Sequence, residues 1–66
     1  MTYIIKFTNG ISVRFWFIDE IWEIIKSHQW SFEHLPEIWV LGGEMIGMLH
    51  PDGRVTNKGQ LIWDLR

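Results

Sequence analysis

The stretch Thr2-Tyr3-Ile4-Ile5-Lys6-Phe7-Thr8-Asn9-Gly10-Ile11-Ser12-Val13-Arg14-Phe15-Trp16-Phe17 decides the fold. Two runs rich in β-branched and aromatic residues, 2–8 and 11–17, flank Asn9-Gly10, which is a β-hairpin signal. Side chains alternate between the faces of a strand, so a slip of one residue exchanges the faces completely. A two-residue turn at Asn9-Gly10 pairs Thr8 with Ile11. It sets the largely polar Thr2, Ile4, Lys6 and Thr8 beside Ile11, Val13, Phe15 and Phe17, a poor sheet face. A three-residue loop, Thr8-Asn9-Gly10, is a type I turn followed by a left-handed residue, which glycine adopts without strain. It pairs Phe7 with Ile11, Ile5 with Val13 and Tyr3 with Phe15. One face then carries Tyr3, Ile5, Phe7, Ile11, Val13, Phe15 and Phe17, all apolar or aromatic. The other carries Thr2, Ile4, Lys6, Ser12, Arg14 and Trp16. This second register is the expected one, with Gly10 at positive φ.

Beyond the hairpin the period changes. Over 18–28, Ile18, Ile21, Trp22, Ile24 and Ile25 recur at helical spacing, with Glu20, Glu23, Lys26 and Ser27 opposite them. Asp19 suits an N-cap, and Glu20 and Glu23 suit the positive end of the helix dipole. Ile21, Trp22 and Ile25 are expected nearly inaccessible against the hairpin's apolar face, and Glu20 and Glu23 exposed. Residues 29–36 read as a connection in which Trp30 and Phe32 plug the end of the core. Pro36 turns Leu35 away from helix. Runs 37–41 and 44–50 flank Gly42-Gly43, a second hairpin signal. Both faces of its first strand are apolar, with Ile38 and Val40 on one and Trp39 and Leu41 on the other. Gly47 marks a bulge or a close backbone approach. Pro51-Asp52-Gly53 and Asn57-Lys58-Gly59 repeat the turn grammar of Thr8-Asn9-Gly10. Between them lies a stub, Arg54-Val55-Thr56. Residues 60–65 form a last strand, with Leu61, Trp63 and Leu65 on one side and Ile62 and Asp64 on the other. The class is α+β: a hairpin, one amphipathic helix, then a hairpin or meander, ββαβββ with the stub, the helix packed on one face of a small antiparallel sheet.

The chain has 66 residues, no cysteine and a formal net charge of −2. That length accommodates one domain, residues 1–66, and the absence of thiols excludes disulfides and thiolate metal sites. A core of this size rarely supplies more than about 3–5 kcal/mol. The charge is unevenly spread: residues 1–18 sum to +2, residues 19–52 to −6 and residues 53–66 to +2. Without a basic stripe, direct nucleic-acid binding is not expected. No signal-peptide pattern opens the chain and no apolar run approaches the ~20 residues that span a bilayer. The expectation is a soluble cytoplasmic protein with no membrane association.

A search for chemistry is brief. His28, His34 and His50 have no metal-ligand spacing. Ser12, Ser27 and Ser31 lie in no nucleophile signature. Gly42-Gly43 precedes an acid rather than a helix with Lys and Ser or Thr, so it is a turn and not a phosphate cradle. No enzyme activity, metal or cofactor is expected. Trp16 is the conspicuous residue. In the expected register it lies on the outer face with Ile4, beside Arg14 and Lys6, a composition suited to cation–π contact or a protein hot spot.

Apolar residues make up 47 % of the chain, and one helix covers only one face of a sheet. A second cover is therefore expected, from a homodimer or higher oligomer or from a partner protein. In size and composition the chain resembles the small, cysteine-free proteins that phages and mobile elements encode to block host enzymes or immune systems. That resemblance implies binding as the whole mechanism. The leading expectation is an inhibitor or adaptor that occludes a partner protein. Its contacts would be Trp16, Arg14, Lys6, Ile4, Trp39 and Arg54, with an acidic face of Glu20, Glu23, Glu33 and Glu37. The alternatives are an oligomeric binder of a small anionic ligand or nucleotide, and a structural or regulatory subunit of a larger complex.

Overall fold

The computed structural model describes residues 1–27 and 34–66. Within them the chain forms β1 (Tyr3–Lys6), β2 (Ser12–Phe15), α1 (Glu20–Ser27), β3 (Glu37–Val40), β4 (Met45–Leu49), β5 (Arg54–Asn57) and β6 (Gln60–Asp64). The described strands make one antiparallel sheet in the order β2-β1-β3-β4-β5-β6, with α1 packed on one face. The stub Arg54-Val55-Thr56 is a full strand, β5. His28, Trp30, Ser31, Phe32 and Glu33 lie outside the described residues.

The first hairpin adopts the three-residue loop. Tyr3 pairs with Phe15 and Ile5 with Val13, and the Phe7 N–H donates to the Ile11 carbonyl at 2.8 Å. Gly10 closes the loop at φ 92°. Pro51-Asp52-Gly53 has the same geometry, with the His50 N–H on the Arg54 carbonyl at 2.8 Å and Gly53 at φ 97°. The third turn departs from that grammar. Asn57 pairs directly with Gln60, so the loop is the two residues Lys58 and Gly59, both at positive φ (52° and 81°). That is the type I′ pattern, which matches strand twist in a tight hairpin.

Only β1 is out of sequence order. It pairs with β2 on one side and β3 on the other, both antiparallel. β2 and β3 therefore run parallel to each other, and parallel strands need a long crossover. α1 (Glu20–Ser27) lies in the chain between β2 and β3 and packs on one face of the sheet.

The core is Ile5, Phe7, Phe15, Ile21, Ile38, Leu49 and Val55, with no buried polar residue among those described. Every strand member projects from the helix side of the sheet. Tyr3 stacks on its cross-strand partner Phe15 at 5.4 Å between ring centroids. It also meets Trp63 edge-on at 5.2 Å. β3, β4 and β5 separate β1 from β6 in the sheet, so this second contact requires the sheet to roll until β6 approaches β1. The roll is helped by bulges between β3 and β4 and between β5 and β6. At Gly47 the backbones of β4 and β5 come so close that a Cβ would lie 2.6 Å from the Thr56 carbonyl oxygen.

Several positions differ from the expectation of strict alternation. Ile11 and Phe17 share a parity with the core but are 42 % and 70 % exposed. β2 ends at Phe15, so Phe17 belongs to the connection into α1, and Ile11 lies at the mouth of the loop. Trp22 and Ile25 are only half-buried, and Ile21 alone on α1 is fully buried. Glu20, expected to be exposed, is half-buried. Leu61 does not share the burial of Trp63. The bulge places it opposite Thr56, and it is 53 % exposed.

Candidate functional site

Phe15-Trp16-Phe17-Ile18 puts four large apolar residues in succession at the point where a strand becomes a helix. Phe15 is buried and ends β2, whereas the next three are 56 %, 70 % and 37 % exposed. Glu20 holds the segment. Its Oε2 accepts the Trp16 N–H at 2.8 Å and the Phe17 N–H at 2.7 Å. The Glu20 N–H in turn donates to the Phe17 carbonyl at 3.0 Å. This is a carboxylate reaching back from the first helical turn, as in a capping box, with a backbone carbonyl in place of the usual Ser or Thr. The expected cap, Asp19, makes no such bond and is exposed.

The segment forms one wall of an open cleft of about 520 Å³. Trp16, Phe17, Ile18 and Asp19 line one part, and Tyr3, Trp22 and Leu65 complete it. The far side is well anchored. The Trp22 indole N–H donates to the Leu65 carbonyl at 3.3 Å, and the Leu65 N–H donates to the Gly53 carbonyl at 2.9 Å. Gly53 has φ 97°, and a Cβ built there would lie 2.9 Å from Trp22 Cζ2. The helix, the 50–54 turn and the end of the chain are thus tied together beneath the cleft. Two Asp–Arg pairs flank this region. The Arg66 guanidinium bonds Asp64 through Nε and Nη2, each at 2.9 Å, and holds its carboxyl down to about 2. The Arg54 backbone N–H, with its guanidinium, lowers the Asp52 carboxyl.

The structure separates the residues named from sequence. Trp16 lines the cleft on the helix side. Ile4, Lys6 and Arg14 lie on the opposite face of the sheet, in register with Trp39, Glu37 and Ser12. There the cation pairs with a different tryptophan. Lys6 Nζ sits 4.4 Å from the Trp39 ring centroid, and the Trp39 indole N–H donates to Glu37 Oε1 at 3.1 Å. Arg54 is drawn to Asp52, Nε to Oδ2 at 2.8 Å. Of the acidic residues, Glu20 and Glu23 are on α1 and Glu37 is on the outer side of β3, whereas Glu33 lies outside the described residues. Glu23 pairs with Lys26 at 3.6 Å.

The nucleophile and ligand candidates are also dispersed. Ser27 donates to the Glu23 carbonyl within α1, and His50 Nε2 lies 2.6 Å from Thr56 Oγ1. Among the described residues no group of three His, Cys, Asp or Glu side chains converges on a metal-sized site. No described helix is long and apolar enough to cross a membrane.

Sequence reasoning placed Phe17 and Ile18 in the core and so missed the cleft. The available signal was the unbroken apolar run 15–18 followed by Glu20, three residues after Phe17, at capping-box spacing. Comparison of the chain with protein-family models, with curated proteins and with solved structures found no match.

Proposed function

We propose that this chain is a non-catalytic binding protein, an inhibitor or adaptor that works by covering a surface on a partner protein. The observation that carries the reading is the cluster Trp16, Phe17 and Ile18, 56 %, 70 % and 37 % exposed, around an open apolar cleft. Scattered exposed apolar residues are normal, but a contiguous group around a concavity is the usual mark of a protein contact. Trp is the residue type most enriched among binding hot spots. Each exposed aromatic ring is worth about 1.5–3 kcal/mol when buried, which favours association with something that covers it. The small-anion alternative has thinner support. Arg54 and Arg66 are held by aspartates and Lys6 lies over Trp39, so few cations remain to draw an anion.

The test is affinity capture from a lysate of the source, wild type against a Trp16→Ala/Phe17→Ala double variant. Both side chains are mainly in solvent, and their backbone bonds to Glu20 do not depend on the rings, so far-ultraviolet dichroism should be unchanged. One stoichiometric protein is expected with wild type and its loss with the variant. Equal recovery by both removes the cleft from the contact. Capture of no protein, with a nucleotide released on denaturation, favours the small-ligand reading.

A further inference from the structure

We propose that the cleft takes a cationic side chain, an arginine or lysine flanked by apolar residues on the partner protein. The inference rests on the binding reading above and specifies its ligand. Four aromatic residues, Tyr3, Trp16, Phe17 and Trp22, line the cleft, and one charged residue, Asp19, lines it with them. Aromatic faces attract cations through their quadrupole, and Arg stacks on them readily.

Asp19 differs from the other aspartates and from the helix glutamates. Asp52 is held by Arg54 and Asp64 by Arg66, Glu23 meets Lys26, and Glu20 accepts two backbone N–H groups. No ion pair or hydrogen bond to another described side chain engages the Asp19 carboxylate. It is exposed on the cleft wall, free to meet an incoming guanidinium or ammonium. The local field agrees in sign. Arg54 and Arg66 are each paired with an aspartate, whereas Asp19, the one charged residue lining the cleft, has no ion partner among the described side chains. An anionic ligand would meet repulsion here. A neutral apolar ligand would leave Asp19 without a partner beside a drying surface, which is costly.

The probe is the peptide acetyl-Gly-Leu-Arg-Leu-Gly-amide, compared with the same peptide carrying citrulline or glutamate at the centre. Citrulline keeps the size and planarity of arginine and removes the charge. Binding is followed by two-dimensional ¹H–¹⁵N spectra, in which the indole N–H signals of Trp16 and Trp22 report the cleft separately from Trp39. The arginine peptide should shift both indoles at millimolar concentration or below. Citrulline should bind about 5–10-fold more weakly, in keeping with the loss of a cation–π contact and an ion pair. Asp19→Asn should weaken the arginine peptide about 3-fold and leave the citrulline peptide unchanged, and added salt should act in the same direction.

Equal binding of the arginine and citrulline peptides, or indifference of the arginine peptide to Asp19→Asn, overturns the proposal, as does the absence of indole shifts at 5 mM peptide. Any of these outcomes leaves lysate capture and its dependence on Trp16 and Phe17 intact. Conversely, a charge-selective peptide site with capture unaffected by the double variant would sink the docking reading while the cation site stands.

Discussion

Trp22 rests against Gly53 so closely that a Cβ there would lie 2.9 Å from its Cζ2, and Gly53 itself has φ 97°. Two separate reasons for glycine coincide at this residue. Gly10 isolates one of them. It closes the same kind of three-residue loop at φ 92°, and a Cβ there would meet nothing within 4 Å. Gly10→Ala should therefore cost only the left-handed backbone term, about 1–2 kcal/mol. Gly53→Ala should cost that plus the displacement of Trp22, a further 1–3 kcal/mol of about the size seen for overpacked sites. Urea unfolding of the two variants measures the difference directly. Equal losses would mean that Trp22 does not bear on the turn. Because Trp22 also forms part of the cleft wall, Gly53→Ala should move its indole signal in the folded state and Gly10→Ala should not.

At the scale of the element, the Lys58-Gly59 turn carries a local conflict. Type I′ turns want Asn-Gly or Asp-Gly, and here a lysine occupies the left-handed first position at φ 52°. Lys58→Asn should raise the stability by about 0.5–1 kcal/mol without changing the denaturant slope. An unchanged or lowered midpoint would show that the lysine is not strained there. The sequence could not separate this turn from its neighbours, because Asn57-Lys58-Gly59 and Thr8-Asn9-Gly10 read alike. The difference lies in which residues pair across the strands, and that is set by β5 and β6 as a unit. The first hairpin was legible for the opposite reason. Its two registers put very different side chains on the buried face, so parity alone chose between them. Parity failed at Leu61 and Phe17. A bulge resets alternation at the first, and the strand had already ended before the second. The cleft was illegible on the same account: its members come from β1, the β2–α1 connection, α1 and the residue after β6, and only the roll of the sheet brings them together.

At the scale of the whole molecule, the roll alters the argument for a second covering surface. A flat sheet with one helix exposes an entire apolar face. Here β1 and β6 approach each other through Tyr3 and Trp63, and the outer face has a mixed character, with Lys6 over Trp39 and Glu37 beside it. Large apolar residues are exposed at the Trp16–Ile18 rim, and others are exposed at Ile11, Leu41, Leu61 and Ile62. Tyr3 of β1 and Trp63 of β6 meet edge-on at 5.2 Å although their strands do not pair, so this contact helps hold the two strands near each other. Trp63 also packs against the buried cluster. Its truncation removes a large aromatic from the seam, and such substitutions cost about 3–5 kcal/mol when the site is buried. A domain of this size has about that much stability in total. Trp63→Ala should therefore be largely unfolded at room temperature, with near-ultraviolet dichroism lost. On the same strand, Leu61 and Ile62 are 53 % and 42 % exposed and take no part in the described core. Leu61→Ser and Ile62→Ser should melt within a few degrees of wild type, since surface substitutions typically stay within about 0.5 kcal/mol. If Trp63→Ala melts with them, β1 and β6 are not held near each other by this contact. The cleft, which takes Tyr3 as one wall, would then have to be preserved by Trp22 and Leu65 alone.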